Sequence, residues 1–187
     1  SLCDKGIIEK LYEASAAGVL IKLIIRGICC LVTGVDGYTN NIEVYSIVGR
    51  YLEHGRIYIF GCGGNEAVYI ASADLMTRNT TRRVEAAVPI LNSRIRTRLL
   101  NMFRLMLKDN CKLRTQLDDG SYVKVSREGE AFNSQEFFAE ESYRRAGVPL
   151  PEEVKISEQV STDESNSAAE TKTDSDVKAN PKKAKKK

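Results

Sequence analysis

The sequence predicts an α/β domain in which a mixed sheet is layered with helices on its faces, followed by a charged tail. Three observations carry this expectation. Short β-branched runs of strand length alternate with segments whose apolar residues recur at helical spacing. The elements come in mixed order rather than as blocks of one type, which favours layers over a pure bundle or sandwich. At 187 residues and 42% hydrophobic content, the chain can bury one sizeable core.

The elements follow in order. Residues 4–17 read as a helix: Asp4 caps it, Ile7, Ile8, Leu11 and Tyr12 form its stripe, and Gly18 stops it. Val19–Ile25 reads as a strand apolar on both faces, suited to burial beneath helices. Ile42–Val48 follows a loop rich in turn residues. Arg56–Phe60 and Ala67–Ala71 flank Gly61-Cys62-Gly63-Gly64-Asn65 and read as a hairpin. Val84–Pro89 is a further strand. Asn92–Asp109 is the longest helix, with Ile95, Leu99, Met102, Phe103, Met106 and Leu107 on its apolar face. Leu113–Leu117 and Tyr122–Val125 enclose Asp118-Asp119-Gly120, a second hairpin. Asn133 or Ser134 caps a last helix ending near Gly147. A helix that leads directly into a central strand implies a domain incomplete at its N-terminus, because such a sheet calls for an earlier strand beside it.

These elements place one domain over residues 1–147 and a disordered tail over 148–187. Residues 149–187 hold eight lysines and eight acidic residues and no aromatic residue, too little apolar surface to offset the entropy of ordering. The formal charge of +3 therefore resides in the domain. The tail ends in Pro181-Lys182-Lys183-Ala184-Lys185-Lys186-Lys187. It is either simply solvated or weakly attracted, in a salt-sensitive way, to a polyanion or an acidic membrane surface. The apolar run Val19–Ile25 is interrupted by Lys22 and is too short to span a bilayer. No charged stub with an apolar block opens the sequence, so no secretory signal is expected. Five cysteines, odd in number and without a C-x-x-C pair, point away from a disulfide framework or zinc site and toward a reducing compartment.

The chemistry-bearing residues cluster. His54 is the single histidine, flanked by Arg50 and Arg56, and Arg26 ends an apolar strand. The stretch from Ser72 to Glu85 is polar and rich in arginine. Loops at strand ends are where α/β proteins bind ligands, and guanidinium groups suit phosphate oxygens through paired hydrogen bonds. Several arginines around one imidazole make a phosphoryl site; the alternative is a solvated basic surface with ordinary ion pairs. Gly61-Cys62-Gly63-Gly64 lacks the G-x-G-x-x-G spacing and joins strand to strand, so it reads as a turn.

Together, Arg26-Gly27-Ile28-Cys29-Cys30-Leu31, Ser46 through Tyr58, Tyr69 through Asn79, and Arg83-Val84-Glu85 resemble the C-terminal catalytic domain of bacterial polyphosphate kinases of the phospholipase-D-like type. Gly120-Ser121-Tyr122-Val123 and Phe132-Asn133-Ser134-Gln135-Glu136 are similar to that domain's ending. The resemblance spans about residues 2–140, in order. It implies a phospholipase-D-like layered sheet and an enzyme that reversibly transfers the terminal phosphate of ATP to polyphosphate. It implies magnesium, with ligands upstream of this segment and no metal ligand within it. The implied partners are polyphosphate, ATP and ADP, upstream domains of the same polypeptide, and further copies in a homo-oligomer. The implied location is the cytoplasm, with peripheral contact at the inner membrane. By resemblance His54 assists proton transfer or charge stabilisation, while a histidine in an upstream domain carries the phosphoryl group. Arg26, Arg83 and Glu85 fall where the family lines its nucleotide and phosphate site. Ser72, Asp74, Arg78 and Asn79 match the polar strip beside it, and Arg50 and Arg56 complete the basic surround.

Two positions depart from the family. Leu75 stands where it usually has tryptophan. Arg56 stands where phospholipase D proper has the lysine of H-x-K, which argues against phosphodiester cleavage. Two other functions remain open from the sequence: a polyanion-binding module without turnover, since the covalent histidine lies elsewhere, and a phospholipase-D-type phosphodiesterase, which would need a second H-x-K from another copy.

Overall fold

The computed structural model describes residues 1–126 and 128–152; the expected tail lies, from residue 153 onward, outside the described residues. The elements run α1 (Lys5–Ala16), β1 (Ile21–Ile24), β2 (Ile42–Ile47), β3 (Ile57–Phe60), β4 (Ala67–Ala71), α2 (Thr77–Thr81), β5 (Ala87–Pro89), α3 (Ser93–Lys108), β6 (Leu113–Gln116), β7 (Tyr122–Lys124) and α4 (Ser134–Ala146).

The mixed α/β class holds, but the strands form two sheets rather than one. One has the order β1-β2-β6-β7 and the other β3-β4-β5. β1 and β2 are parallel, with Ile24 opposite Tyr45, and β6 runs antiparallel to β2. In the second sheet every pairing is antiparallel. The isolated segment around Leu2 lies outside both sheets: it makes one parallel bridge to Cys29, beyond β1, and another to Leu75, beyond β4. Nothing in the periodicity of a three-residue segment announces such a role.

The core lies between α1 and the first sheet. Leu2, Ile8, Ile25, Leu31, Ile42 and Val44 are buried together, and Ile7, Leu11 and Tyr12 of the expected α1 stripe pack against them. Asp4 caps the helix by accepting from the Ile7 amide at 3.0 Å. At the other end of the domain, Gly147 takes the left-handed conformation (φ 65°) that ends α4, as its position predicted.

Three expectations need correction. Val19–Ile25 was to be a fully buried central strand; the strand is Ile21–Ile24 at a sheet edge, with Val19 and Leu20 exposed. An edge strand has a neighbour on one side only, so its apolar side chains are half covered. The strand at Val84–Pro89 begins only at Ala87, because the Ser72 hydroxyl accepts the Ala86 N–H at 3.1 Å in place of a ladder partner. The apolar face of α3 is not a core face: no residue of that helix is fully buried. Its half-buried Met102 and Leu105 line an open groove of about 850 Å³ shared with Phe137 and Phe138 of α4.

Among the described residues all five cysteines are free, and no helix is long and apolar enough to cross a membrane.

Candidate functional site

β1 and β2 run parallel, so their carboxyl ends emerge on the same side of the sheet. Arg26 lies just beyond one end and the loop 48–56, carrying Arg50 and His54, just beyond the other. That is the side where open α/β sheets bind ligands. The second sheet contributes its own edge. The Ala71 amide donates to the Arg56 carbonyl at 3.0 Å and the Ser72 amide to the Ala86 carbonyl at 3.0 Å. Arg56, Ser72, Asp74 and Glu85 thus gather at one end of β3-β4-β5. The Leu2 segment, bridged to both Cys29 and Leu75, lies between the stretches that follow β1 and β4.

Two hydrogen-bonded clusters organise this end. Arg56 holds Asp74 through two bonds, Nε to Oδ1 at 3.1 Å and Nη2 to Oδ2 at 3.3 Å, and its Nη1 donates to the His54 carbonyl at 3.2 Å. The Ser1 ammonium also lies 3.3 Å from Asp74. Glu85 accepts from the Ser72 hydroxyl and from Asn79 Nδ2, the latter at 2.6 Å. Both donors are neutral and hold the Glu85 carboxyl below its ordinary range, Ser72 most strongly. Asn79 itself is buried, in the short helix α2, within a stretch the sequence reads only as polar loop. Thr80 of the same helix donates to Asp4 Oδ2 at 2.9 Å, tying this strip to the start of α1.

The arginines divide. Arg56 is paired, and the Arg50 guanidinium lies over the Tyr51 ring with its carbon 5.6 Å from the centroid. Arg26 is half-buried and, among the described residues, has no acceptor for its buried Nη1. Arg78 and Arg83 are exposed and form no salt bridge among the described residues. With Asp74 and Glu85 both engaged internally, the site presents a surplus of guanidinium charge. His54 is exposed, and among the described residues its imidazole makes no hydrogen bond.

Burial pushes the Asp74 carboxyl up, but its bonds to Arg56 and the nearby ammonium outweigh this and hold it below the ordinary value. The folded form thus binds its proton less readily than the unfolded chain does. The pair's stabilisation is complete above the unfolded pKa, near 3.9, and disappears as pH falls through the lower folded value. Urea midpoints measured from about pH 5 to pH 2 should fall more steeply for the parent than for Asp74→Asn. Parallel curves would show that the pair contributes no pH-dependent stability.

One residue outside the predicted set reaches the site. Gln135, the second residue of α4, contacts Tyr51 and Glu53 of the His54 loop. The sequence marks it only as part of the Phe132–Glu136 stretch that resembles the family's ending; a buried neutral amide has no charge pattern to assign it to the site.

Comparison with known proteins adds three findings. Residues 1–135 match the family model described as polyphosphate kinase C-terminal domain 2. The chain is 51% identical over 144 residues to a polyphosphate kinase of Staphylococcus haemolyticus, covering 77% of this chain and 20% of that protein. It is 49% identical over 144 residues to one of Helicobacter pylori, covering 77% and 21%. The crystal structure of polyphosphate kinase from Porphyromonas gingivalis superposes with a TM-score of 0.71 at 38% identity, over 78% of this chain and 22% of that one. The chain therefore spans about a fifth of the length of the curated relatives it matches.

Proposed function

The chain belongs to the polyphosphate kinase C-terminal domain family, and from that premise we propose that it supplies the nucleotide- and phosphate-site arginines and the second active-site histidine of a longer enzyme that moves the terminal phosphate of ATP onto polyphosphate and back. The observation that carries this reading is the arrangement of guanidinium groups. Arg26, at the carboxyl end of β1, has no carboxylate partner among the described residues, while Asp74 and Glu85 of the polar strip are already engaged by other side chains. An uncompensated guanidinium held at a strand end is a receptor for an oxyanion.

In this reading Arg26 and Arg83 bind phosphate oxygens of nucleotide or polymer, with Arg50 and Arg78 adding positive potential. Ser72, Asn79 and Glu85 fix the path of the chain on which Arg83 sits. Asp74 and Arg56 frame the His54 loop. As the terminal phosphorus forms its bond to the upstream histidine and the bond to its bridging oxygen breaks, negative charge grows on the departing ADP. Fixed guanidinium groups stabilise that charge. His54 donates a proton or hydrogen bond to the bridging oxygen. The covalent phosphohistidine, the other domains, the homo-oligomer, the cytoplasmic location and the phospholipase-D-like layering belong to the same proposal. The resemblance in sequence and the similarity to the solved kinase support them.

Magnesium is the ion this family implies, and it demands near-octahedral oxygen ligation. Asp74 is committed to Arg56 and Glu85 to Ser72 and Asn79, and among the described residues no group of three or more acidic, histidine or cysteine side chains could hold a metal ion. The described residues do not fit a magnesium site, and magnesium binding is assigned to the remainder of the proposed enzyme.

The test is ATP-dependent polymer growth by the full reading frame that encodes this chain, with Arg26→Lys and Arg83→Lys. Lysine replaces a planar fork by a point charge and forfeits one of two bonds. A charged hydrogen bond is worth about 1.5–3 kcal/mol, so kcat/KM should fall roughly tenfold to a hundredfold in each variant. Parent-like activity in both would sink the assignment. Tight polyphosphate binding without turnover by the full protein would favour the polyanion-binding reading instead.

A further inference from the structure

We propose that Gln135 is a positioning residue that fixes the loop bearing His54 from the start of α4. The proposal rests on the functional reading above for the importance of His54, but the clamp itself is geometric. Gln135 is only 4% exposed. Its Oε1 accepts the Tyr51 amide at 3.1 Å, and its Nε2 donates to the Tyr51 carbonyl at 2.8 Å and to Glu53 Oε1 at 2.7 Å. The side-chain amide therefore satisfies both backbone groups of one residue, as a neighbouring β-strand would, in a loop that has no ladder of its own. With Oε1 and both Nε2 protons engaged, its orientation is set by the donor and acceptor pattern.

The approach is close enough to dictate a second residue. A Cβ at Gly49 would collide with Gln135 Oε1 and lie 3.2 Å from its Cδ. Any larger residue there must displace the Gln135 amide, so the two positions form one lock. The far side of the loop is held independently, by Arg56 Nη1 on the His54 carbonyl. Residues 51, 53 and 54 are thus pinned through backbone or carboxylate while the imidazole of His54 is left in solvent. A fixed backbone under an exposed ring favours a repeatable approach to a reacting oxygen, where a misplacement of about 1 Å costs on the order of a hundredfold in rate.

Gln135 touches neither substrate nor reacting atoms in this proposal, so its signature is a split between binding and turnover. In the full-length enzyme, Gln135→Leu and Gly49→Ala should each lower kcat roughly tenfold to a hundredfold. KM for nucleotide should change by no more than a few-fold, because Arg26 and Arg83, proposed to bind phosphate oxygens, sit on other segments and only Arg50 shares the loop. Hydrogen exchange in a peptide spanning residues 49–56 should quicken by roughly tenfold or more as the loop opens locally. Gln135→Glu sets two carboxylates against each other, strips the Tyr51 carbonyl of its donor and should be equally impaired. If Gln135→Leu does not fold, Gly49→Ala still decides the matter. Unchanged exchange in 49–56 overturns the clamp. If exchange quickens while kcat is unchanged, the clamp has no role in positioning for catalysis and the proposal fails. Full turnover by His54→Gln would instead overturn the functional reading and leave the exchange result standing.

Discussion

His54→Gln in the full-length enzyme is expected to keep nucleotide affinity and to lose roughly two to four orders of magnitude in phosphoryl transfer, the range for removal of a general acid. Glutamine approximates the reach of imidazole and can still donate a hydrogen bond from its amide, but it cannot surrender a proton to a departing oxygen. Affinity should survive because the groups proposed to hold phosphate lie elsewhere: Arg26 beyond β1 and Arg83 beyond α2. The geometry favours the split. The histidine backbone is held by Arg56, and no hydrogen bond among the described residues engages the ring, so the substitution disturbs no structural contact of the imidazole. Each tenfold in rate corresponds to about 1.4 kcal/mol, so the loss should amount to about 3–5 kcal/mol of transition-state stabilisation with little in the ground state. Nucleotide affinity and turnover on this one variant decide between the alternatives. Joint collapse of both would make His54 a binding residue. Retention of both would make it inert.

What could be read from the sequence, and what could not, follows from how far each signal reaches along the chain. The stripe Ile7, Ile8, Leu11 and Tyr12 announces α1 because one face of a helix repeats within a few residues, and all four side chains join the core cluster. The hairpins at residues 61–65 and 118–120 are visible because turn chemistry is local. Sheet membership is not local. Nothing in Ile57–Phe60 says that its hairpin with β4 forms a sheet apart from β2, and nothing in Leu2 says that it bridges both Cys29 and Leu75. The incomplete burial of α3 was hidden for a related reason: its apolar period is genuine, but a period states which face is apolar, not how fully it is covered. At the site, charged and titratable residues drew notice because their chemistry is intrinsic. Gln135 did not, because its significance lies in three hydrogen bonds to residues more than eighty positions away. The fourteen-residue strip from Ser72 to Glu85 lies between these cases. Its polarity was plain, but that Asn79 sits buried within a helix, one whose Thr80 reaches Asp4 at the start of α1, depends on a residue that no window along the strip contains.

The largest stability effect is expected at a residue that the sequence marks only as a helix boundary. Asp109 ends α3 and is completely buried. One carboxylate oxygen accepts the Cys111 and Lys112 amides at 2.9 and 2.7 Å, and the other accepts the Ser134 amide and hydroxyl, both at 2.8 Å. A single side chain thus satisfies four donors, turning the chain out of α3 into β6 and fixing the start of α4. Asp109→Ala strands all four donors and leaves a void, and should cost about 3–5 kcal/mol, as when one partner of a buried charged network is removed. Asp109→Asn keeps one acceptor but turns an NH2 group toward two donors whichever way the amide is set, for a loss of at least about 2 kcal/mol. Ser134→Ala removes only the hydroxyl donor and should cost about 1 kcal/mol. Urea unfolding of the three variants should give that rank order, and a loss within about 1 kcal/mol for Asp109→Ala would refute the account. Against a total stability of roughly 5–15 kcal/mol for a domain of this kind, the alanine variant is expected to be partly unfolded at elevated temperature. Its effect should also reach the site. Gln135 follows Ser134 directly, so loosening the bond between Asp109 and Ser134 frees the residue that holds Tyr51 and Glu53. Hydrogen exchange across residues 49–56 should therefore quicken in Asp109→Asn under conditions where the rest of the domain remains folded.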